Sequence, residues 1–232
     1  MLVSIIIPAY NEAERISSSL DKALEYLAKQ EYSWEVIVVD DGSNDDTVRV
    51  VKHYAPNVTV IEQPRNLGKG AAVRTGILAA KGDYRIFTDA DFSTPIYELE
   101  KLLPKLQNGV DVCIGSRRVD PSMVKVHQPW YREIIGVIGN KIIQTLLFSG
   151  IEDTQCGFKG LTAKAATKLF STMKVDGFGF DVELLFLAKR ANFSIVQVPV
   201  EWYNDERSRL NPIRDSIRTF LEVLSIKRLH KI

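Results

Sequence analysis

The sequence predicts an α/β fold: a mostly parallel sheet flanked by helices. Three observations carry this. Residues 2–7 and 34–39 are nearly continuous apolar runs, the signature of strands buried on both faces. Strand-like and helix-like segments alternate through about residue 115, as in parallel strands joined by right-handed crossovers. The strand-like runs end in polar clusters, and open α/β sheets bind ligands beyond the carboxyl ends of their strands.

The elements follow in order. Residues 2–7 form the first strand, ending at Pro8. Asn11 is expected to begin a helix, with Glu14 three residues later in a loose capping box. Ile16, Leu20, Leu24 and Leu27 then recur at helical spacing. Residues 34–39 are the second strand, stopping at Asp40-Asp41-Gly42-Ser43; Asn44 is expected to cap a helix bearing Val48, Val51 and Tyr54. Residues 58–61 are a short strand, followed by Asn66-Leu67-Gly68-Lys69-Gly70 and an Ala-rich helix through Ala80. Residues 84–88 read as a half-buried strand leading into Asp89-Ala90-Asp91, after which Thr94 suits a cap and Pro95 a first helical turn. Residues 111–115 are a further strand. Beyond Gly115 the alternation weakens. Helices are expected at 132–148, 162–170 and 180–191, a strand at 195–202, and a basic amphipathic helix at 211–229.

Composition narrows the class of function. The chain has 232 residues, 45% hydrophobic, with a formal net charge of +1. That supports one domain with a real core and offers no bulk basic field for nucleic acid. Cys113 and Cys156 are far apart in sequence and unsuited to a metal pair, which predicts buried free thiols and a reducing, cytoplasmic setting. The amino terminus lacks a basic leader region. The longest apolar stretch, 134–148, is interrupted by Asn140, Lys141 and Gln144 and falls short of the about 20 apolar residues of a spanning helix.

Three polar clusters converge on one sheet edge: Pro8-Ala9-Tyr10-Asn11-Glu12, Asp40-Asp41-Gly42-Ser43 and Asp89-Ala90-Asp91. Asp89 and Asp91, one residue apart at a strand end, suit a hard divalent cation that also carries phosphates, the chemistry of transfer from a nucleotide sugar. Asp40 can accept from a base N–H, Tyr10 can pack on the base, and Glu12 can bind ribose hydroxyls; Asp40-Asp41-Gly42-Ser43 also reads as a turn with a helix cap, and Asp89-Ala90-Asp91 as a solvated turn with capping. Gly68-Lys69-Gly70 opens a helix, where backbone N–H groups favour anions, and equally reads as a tight turn; Lys69 alternatively orients the nucleotide from its side. Arg117 and Arg118 follow a strand end, and Arg132 begins the apolar helix. They suit an acceptor with a phosphate head and a lipid tail, or routine surface ion pairs. Asp153 reads as a base or as a partner that orients an arginine. The apolar helix reads as a lipid surface or as a core helix. Glu206-Arg207-Ser208-Arg209 reads as a loop that closes over a diphosphate or as a solvated turn.

These motifs together resemble the inverting family 2 glycosyltransferases of the GT-A, Rossmann-like fold. The second half resembles the dolichyl-phosphate glucosyltransferase and mannosyltransferase branch, through Gly115-Ser116-Arg117, Gln128-Pro129-Trp130-Tyr131-Arg132, Asp153-Thr154-Gln155-Cys156-Gly157-Phe158-Lys159, Phe180-Asp181-Val182-Glu183-Leu184-Leu185 and Val198-Pro199-Val200-Glu201-Trp202. The Asp-Thr-Gln-Cys-Gly-Phe-Lys run points to the glucosyl members. The resemblance covers nearly the whole chain and implies a single domain over 1–232. Residues 1–115 would bind the nucleotide sugar, and 116–232 the acceptor. It implies that Pro8, Tyr10, Glu12 and Asp40 hold the nucleoside, Asp89 and Asp91 hold Mg²⁺ or Mn²⁺ and the donor diphosphate, and Arg117 and Arg132 hold the acceptor phosphate. Arg209 matches a basic position, usually Lys, in the carboxyl-terminal loop, which implies a diphosphate contact there. Ser93 stands where mannosyl members often carry a metal-binding Gln, a departure that bears on metal affinity and donor choice.

The expected reaction is hexose transfer, from UDP-glucose first, to a polyprenyl or dolichyl phosphate. The protein would lie peripherally on the cytoplasmic face of a membrane. GDP-mannose as donor, a carbohydrate hydroxyl as acceptor, a nucleotide-sugar binding protein without turnover and a receiver-type signalling domain are the competing readings. The last leaves the second half of the chain unexplained.

Overall fold

Seven strands form the central sheet of the computed structural model, which describes residues 1–205 and 212–231. The first half runs β1 (Leu2–Ala9), α1 (Ile16–Leu27), β2 (Ser33–Asp40), α2 (Thr47–Lys52), β3 (Val58–Glu62), α3 (Lys69–Ala79), β4 (Tyr84–Phe87), α4 (Leu99–Gln107) and β5 (Val112–Ser116). The second adds β6 (Val124–Val126), α5 (Trp130–Leu146), β7 (Lys159–Thr162), α6 (Ala163–Phe170), α7 (Phe180–Arg190), β8 (Ile195–Pro199), β9 (Trp202–Tyr203) and α8 (Pro212–Leu229).

The strand order is β3-β2-β1-β4-β7-β5-β8, parallel except for β7, which runs antiparallel to both β4 and β5. The apolar runs are buried on both faces because successive side chains point to opposite sides. Ile6, Ile37 and Val39 join α3, α6, α7 and α8 on one face. Ile5, Ile7, Val36 and Val38 join α1, α2 and α4 on the other. Strands β6 and β9 pair separately as a small parallel ribbon.

Two expected caps, Asn11 and Asn44, fail because each partners the other across the fold. Asn11 does not start α1. It sits at φ 55° in the left-handed region, which Asn tolerates, and its N–H donates to Ser43 Oγ while its Oδ1 accepts from the Asn44 N–H. The first helix therefore begins at Ile16. Asn44, clasped by Asn11, does not cap α2, which begins at Thr47 with Asp45 Oδ1 accepting from the Thr47 N–H. Thr94 does not cap α4 either: Pro95 is extended and precedes a 3-10 turn, Ile96–Glu98. Strand β7 is a finding with no apolar run to announce it. The expected strand 195–202 divides into β8 and β9. Thr162 does cap α6, its Oγ1 accepting from the Ala165 N–H.

Helix α5 is not a core helix. Its buried residues are Asn140 and Ile143, while Trp130, Ile134, Val137 and Ile138 are exposed at 73%, 48%, 55% and 55%. Helix α8 likewise exposes Ile217, Phe220, Leu221 and Leu224. Among the described residues no helix is long and apolar enough to cross a membrane.

Candidate active site

The carboxyl ends of β1, β2 and β4 bring the three polar clusters together. Parallel register sets Ala9 opposite Asp40 and Pro8, buried inside β1, opposite Val39. Beyond β2 lies a cavity of about 400 Å³ lined by Tyr10, Asp40, Gly42, Ser43, Glu62, Gln63 and Arg65 among others. Asp40 Oδ2 accepts from the N–H groups of Gly42 (3.1 Å) and Ser43 (3.0 Å). Its Oδ1 is buried without a partner, as is Gln63 Oε1. Two unused acceptors beside an exposed Tyr10 ring suit a base that presents N–H donors and a stacking face.

Asp41 has a structural task. Both its oxygens accept from the loop before α3, at the Leu67 (2.8 Å) and Gly68 (2.9 Å) N–H groups. Burial raises its carboxyl above the ordinary range, opposed by those two bonds. Gly68 sits at φ 110°, and a Cβ there would strike the Asp176 carbonyl, so the loop needs glycine. The resulting turn delivers Lys69, whose Nζ lies 2.5 Å from Asp89 Oδ1.

Asp89 and Asp91 stand on a tight turn after β4 in which the Phe92 N–H donates to the Asp89 carbonyl (3.0 Å) and Phe92 takes φ 48°. A bulky residue there is strained, and the turn places both carboxylates just beyond the carboxyl end of β4. Burial raises the Asp91 carboxyl, and the Asp89 charge raises it further; the Ser93 N–H (2.9 Å) and Arg15 oppose them. Although no cation neighbours the pair in sequence, the fold brings two to it. Lys69 faces Asp89, and Arg15 Nη1 lies 3.7 Å from Asp91. Lys69 loses charge stability to burial but regains more from Asp89, Asp181 and Asp91, so its pKa rises. Behind it, fully buried Lys159 is bonded to Asp181 and to the Cys156 carbonyl.

The donor set fits a hard divalent cation. Burial and the Asp89 charge both disfavour the ionised Asp91, and a cation relieves both the desolvation and the repulsion. Among the described residues no cluster of three or more His, Cys, Asp or Glu side chains forms a complete cage. The remaining oxygens would come from phosphates and water.

Glu12 is engaged by Arg15 through two bonds, Nε to Oε2 and Nη2 to Oε1 (2.7 Å). Arg15 also lies 3.5 Å from Asp205. This residue was missed in the sequence, where only its spacing of three from Glu12 hinted at the pair.

The second half supplies the arginines. Asp153, 2% exposed, accepts from Arg117 Nε (2.7 Å), Nη2 (2.8 Å) and backbone N–H (3.0 Å). Burial alone would raise the Asp153 carboxyl, but the Arg117 charge and these bonds outweigh it and hold it at about 2. Such a carboxylate orients an arginine and makes a poor base. Arg117 also stacks 5.4 Å from the Trp202 ring, and the Asp89 charge reaches it. Arg118 Nη2 lies 3.1 Å from where a Cβ on Gly136 of α5 would sit. Arg132 is one turn before Gly136 on the same helix face, and its Nε is buried without a partner. Gly157 brings the Asp153–Lys159 segment onto the acidic pair, since a Cβ there would overlap the Asp89 carboxylate. Cys156 is a packed thiol that burial pushes up to about 11. Arg209 and its loop lie outside the described residues.

Known proteins share this architecture. Residues 4–170 match the model of glycosyl transferase family 2. The chain is 37% identical over 243 residues to a dolichyl-phosphate beta-glucosyltransferase of Trichomonas vaginalis, covering 99% of this chain and 74% of that protein. It is 35% identical over 241 residues to the human dolichyl-phosphate beta-glucosyltransferase, covering 97% and 74%. Among solved structures, mannosyl-3-phosphoglycerate synthase from Rubrobacter xylanophilus superposes with a TM-score of 0.78 at 19% identity, covering all of this chain and 74% of that one. Glucosyl-3-phosphoglycerate synthase from Mycobacterium tuberculosis, solved with Mn²⁺ and UDP-glucose, superposes with a TM-score of 0.67 at 20% identity, covering 100% and 79%.

Proposed function

Because this chain belongs to glycosyl transferase family 2, we propose that it moves glucose from UDP-glucose to dolichyl phosphate or a related polyprenyl phosphate, with inversion at the anomeric carbon. One observation carries the reading: the acidic pair stands between a cleft with unused acceptors for a base and an arginine cluster at the foot of an uncovered apolar helix. The names of the relatives support glucose and the dolichyl acceptor.

Asp40 and Tyr10 hold the base, and Asp89 and Asp91 hold Mg²⁺ or Mn²⁺ with the donor diphosphate. When bound, that cation withdraws electron density from the diphosphate and makes UDP a better leaving group. Lys69 and Arg15 screen the acidic pair in the absence of ligand and remain as positive charge beside the phosphates. Arg117, preset by Asp153, and Arg132, with its unused Nε–H, seat the acceptor phosphate. A phosphate oxygen forms the new bond to the anomeric carbon as the bond to UDP breaks. The second pKa of a phosphate ester is about 6, so the acceptor is already largely dianionic at neutral pH and needs no strong base. The protein's contribution is alignment and charge.

The exposed apolar faces of α5 and α8 support a peripheral seat on a membrane, with Lys227 and Arg228 in the last turn of α8 available to anionic headgroups; the cytoplasmic face is the side we propose. The acceptor's hydrocarbon chain would then lie along α5.

Nucleotide release tests the reading, with UDP-glucose or GDP-mannose as donor, with and without polyprenyl phosphate, in Mn²⁺. Lipid phosphate is expected to stimulate release from UDP-glucose at least tenfold and leave GDP-mannose near background. Stimulation with GDP-mannose alone moves the donor assignment, and stimulation with neither donor ends the lipid-acceptor assignment.

A further inference from the structure

Helix α5 is apolar and mostly exposed, yet it buries one polar side chain, Asn140, at 6%. That amide is fully engaged. Its Nδ2 donates to the carbonyls of Ile151 (3.3 Å) and Glu152 (2.8 Å), and its Oδ1 accepts from the Thr154 N–H (3.3 Å) and Oγ1 (2.8 Å). These partners flank Asp153 on both sides. Asp153 in turn holds Arg117 through three hydrogen bonds.

A buried amide with two donors and two acceptors used is costly to disturb, because each lost bond strands a partner away from water. Nothing about packing an apolar helix calls for it: a leucine in that place would bury more apolar surface. Its geometry instead fixes the backbone that carries the carboxylate of the acceptor arginine. Helix α5 bears on the same region a second time, through Gly136 against Arg118.

We propose that Asn140 is a positioning residue for the acceptor site: it locks the 151–154 segment to α5, so that the helix facing the lipid sets the placement of Asp153 and thereby of Arg117. The inference rests on the reading above that Arg117 meets the acceptor phosphate. Asn140 touches no substrate, and its effect falls on the acceptor and not on the donor.

The test uses the full chain, wild type and the variants Asn140→Ala, Thr154→Val and Asp153→Asn, with UDP-glucose, polyprenyl phosphate and Mn²⁺. Thr154→Val removes one hydroxyl at nearly constant shape and stays informative if Asn140→Ala does not fold. The KM for polyprenyl phosphate is expected to rise at least tenfold in Asn140→Ala and two- to threefold in Thr154→Val, with the KM for UDP-glucose within twofold of wild type. In an Asp153→Asn background, Asn140→Ala is expected to add less than twofold, because both act through one route. An unchanged acceptor KM in both variants, a parallel rise in both KM values, or full additivity with Asp153→Asn overturns the proposal. Failure of the underlying reading shows separately, as wild-type protein that lipid phosphate does not stimulate.

Discussion

Asp91→Asn is expected to slow glucose transfer by about 10²–10³-fold while leaving the melting temperature unchanged or slightly higher. The two effects part company because the site holds Asp91 against its own preference. Burial and the neighbouring Asp89 raise its carboxyl, and a carboxyl raised in the folded state weakens folding at neutral pH. The amide removes that penalty together with the charge that holds the cation. Asp89→Asn is expected to lose as much activity but also to lower the melting temperature, since it takes from Lys69 its nearest carboxylate, 2.5 Å away. Initial rates at saturating Mn²⁺, beside thermal melts, check both. An Asp91→Asn enzyme with more than a tenth of wild-type activity contradicts the assignment.

Asp153→Asn is expected to raise the acceptor KM at least tenfold and to lower stability. Breaking a buried ion pair from one side costs about 3–5 kcal/mol; the Arg117 side chain is 23% exposed, which places the loss toward the low end. The pH dependence has a definite sign. The folded-state carboxyl is depressed to about 2, so the pair's contribution is complete above the unfolded value of about 3.9 and disappears as pH falls through about 2. Between pH 5 and 8 the pair is therefore constant. A rise in acceptor KM below about pH 6 then originates outside the pair, as expected for protonation of the acceptor phosphate. Acceptor titrations at pH 5.5 and 7.5 check this: the ratio of the two KM values is expected to be the same in wild type and Asp153→Asn, and a variant-specific pH dependence contradicts it.

The features legible in the sequence are those written locally. Residues 2–7 and 34–39 are apolar on both faces, which announces buried parallel strands, and the polar residues that end them mark the sheet edge that carries the site. Asp40, Asp89, Asp91 and Arg117 all lie at such ends. Contacts made across the fold left no local trace. Strand β7 carries Lys159, fully buried and neutralised by Asp181 on α7, so no hydrophobicity pattern marks it. The caps expected at Asn11 and Asn44 were given up to a clasp between those two residues, which forms only once β1 and β2 are paired. Lys69 and Arg15 reach the acidic pair from a helix start and a loop whose positions are set by the sheet. The character of α5 was open in the sequence because an apolar helix can face a core or a lipid; its exposure decides against the core.

The account turns on whether the acidic pair binds the donor diphosphate through a divalent cation. Calorimetric titration of UDP into wild-type protein and Asp91→Asn, with Mn²⁺ and with a chelator, asks this directly. The expected result is at least tenfold tighter binding with Mn²⁺ in the wild type and no such gain in the variant. Equal UDP affinity with Mn²⁺ and with chelator in the folded wild-type protein would contradict it.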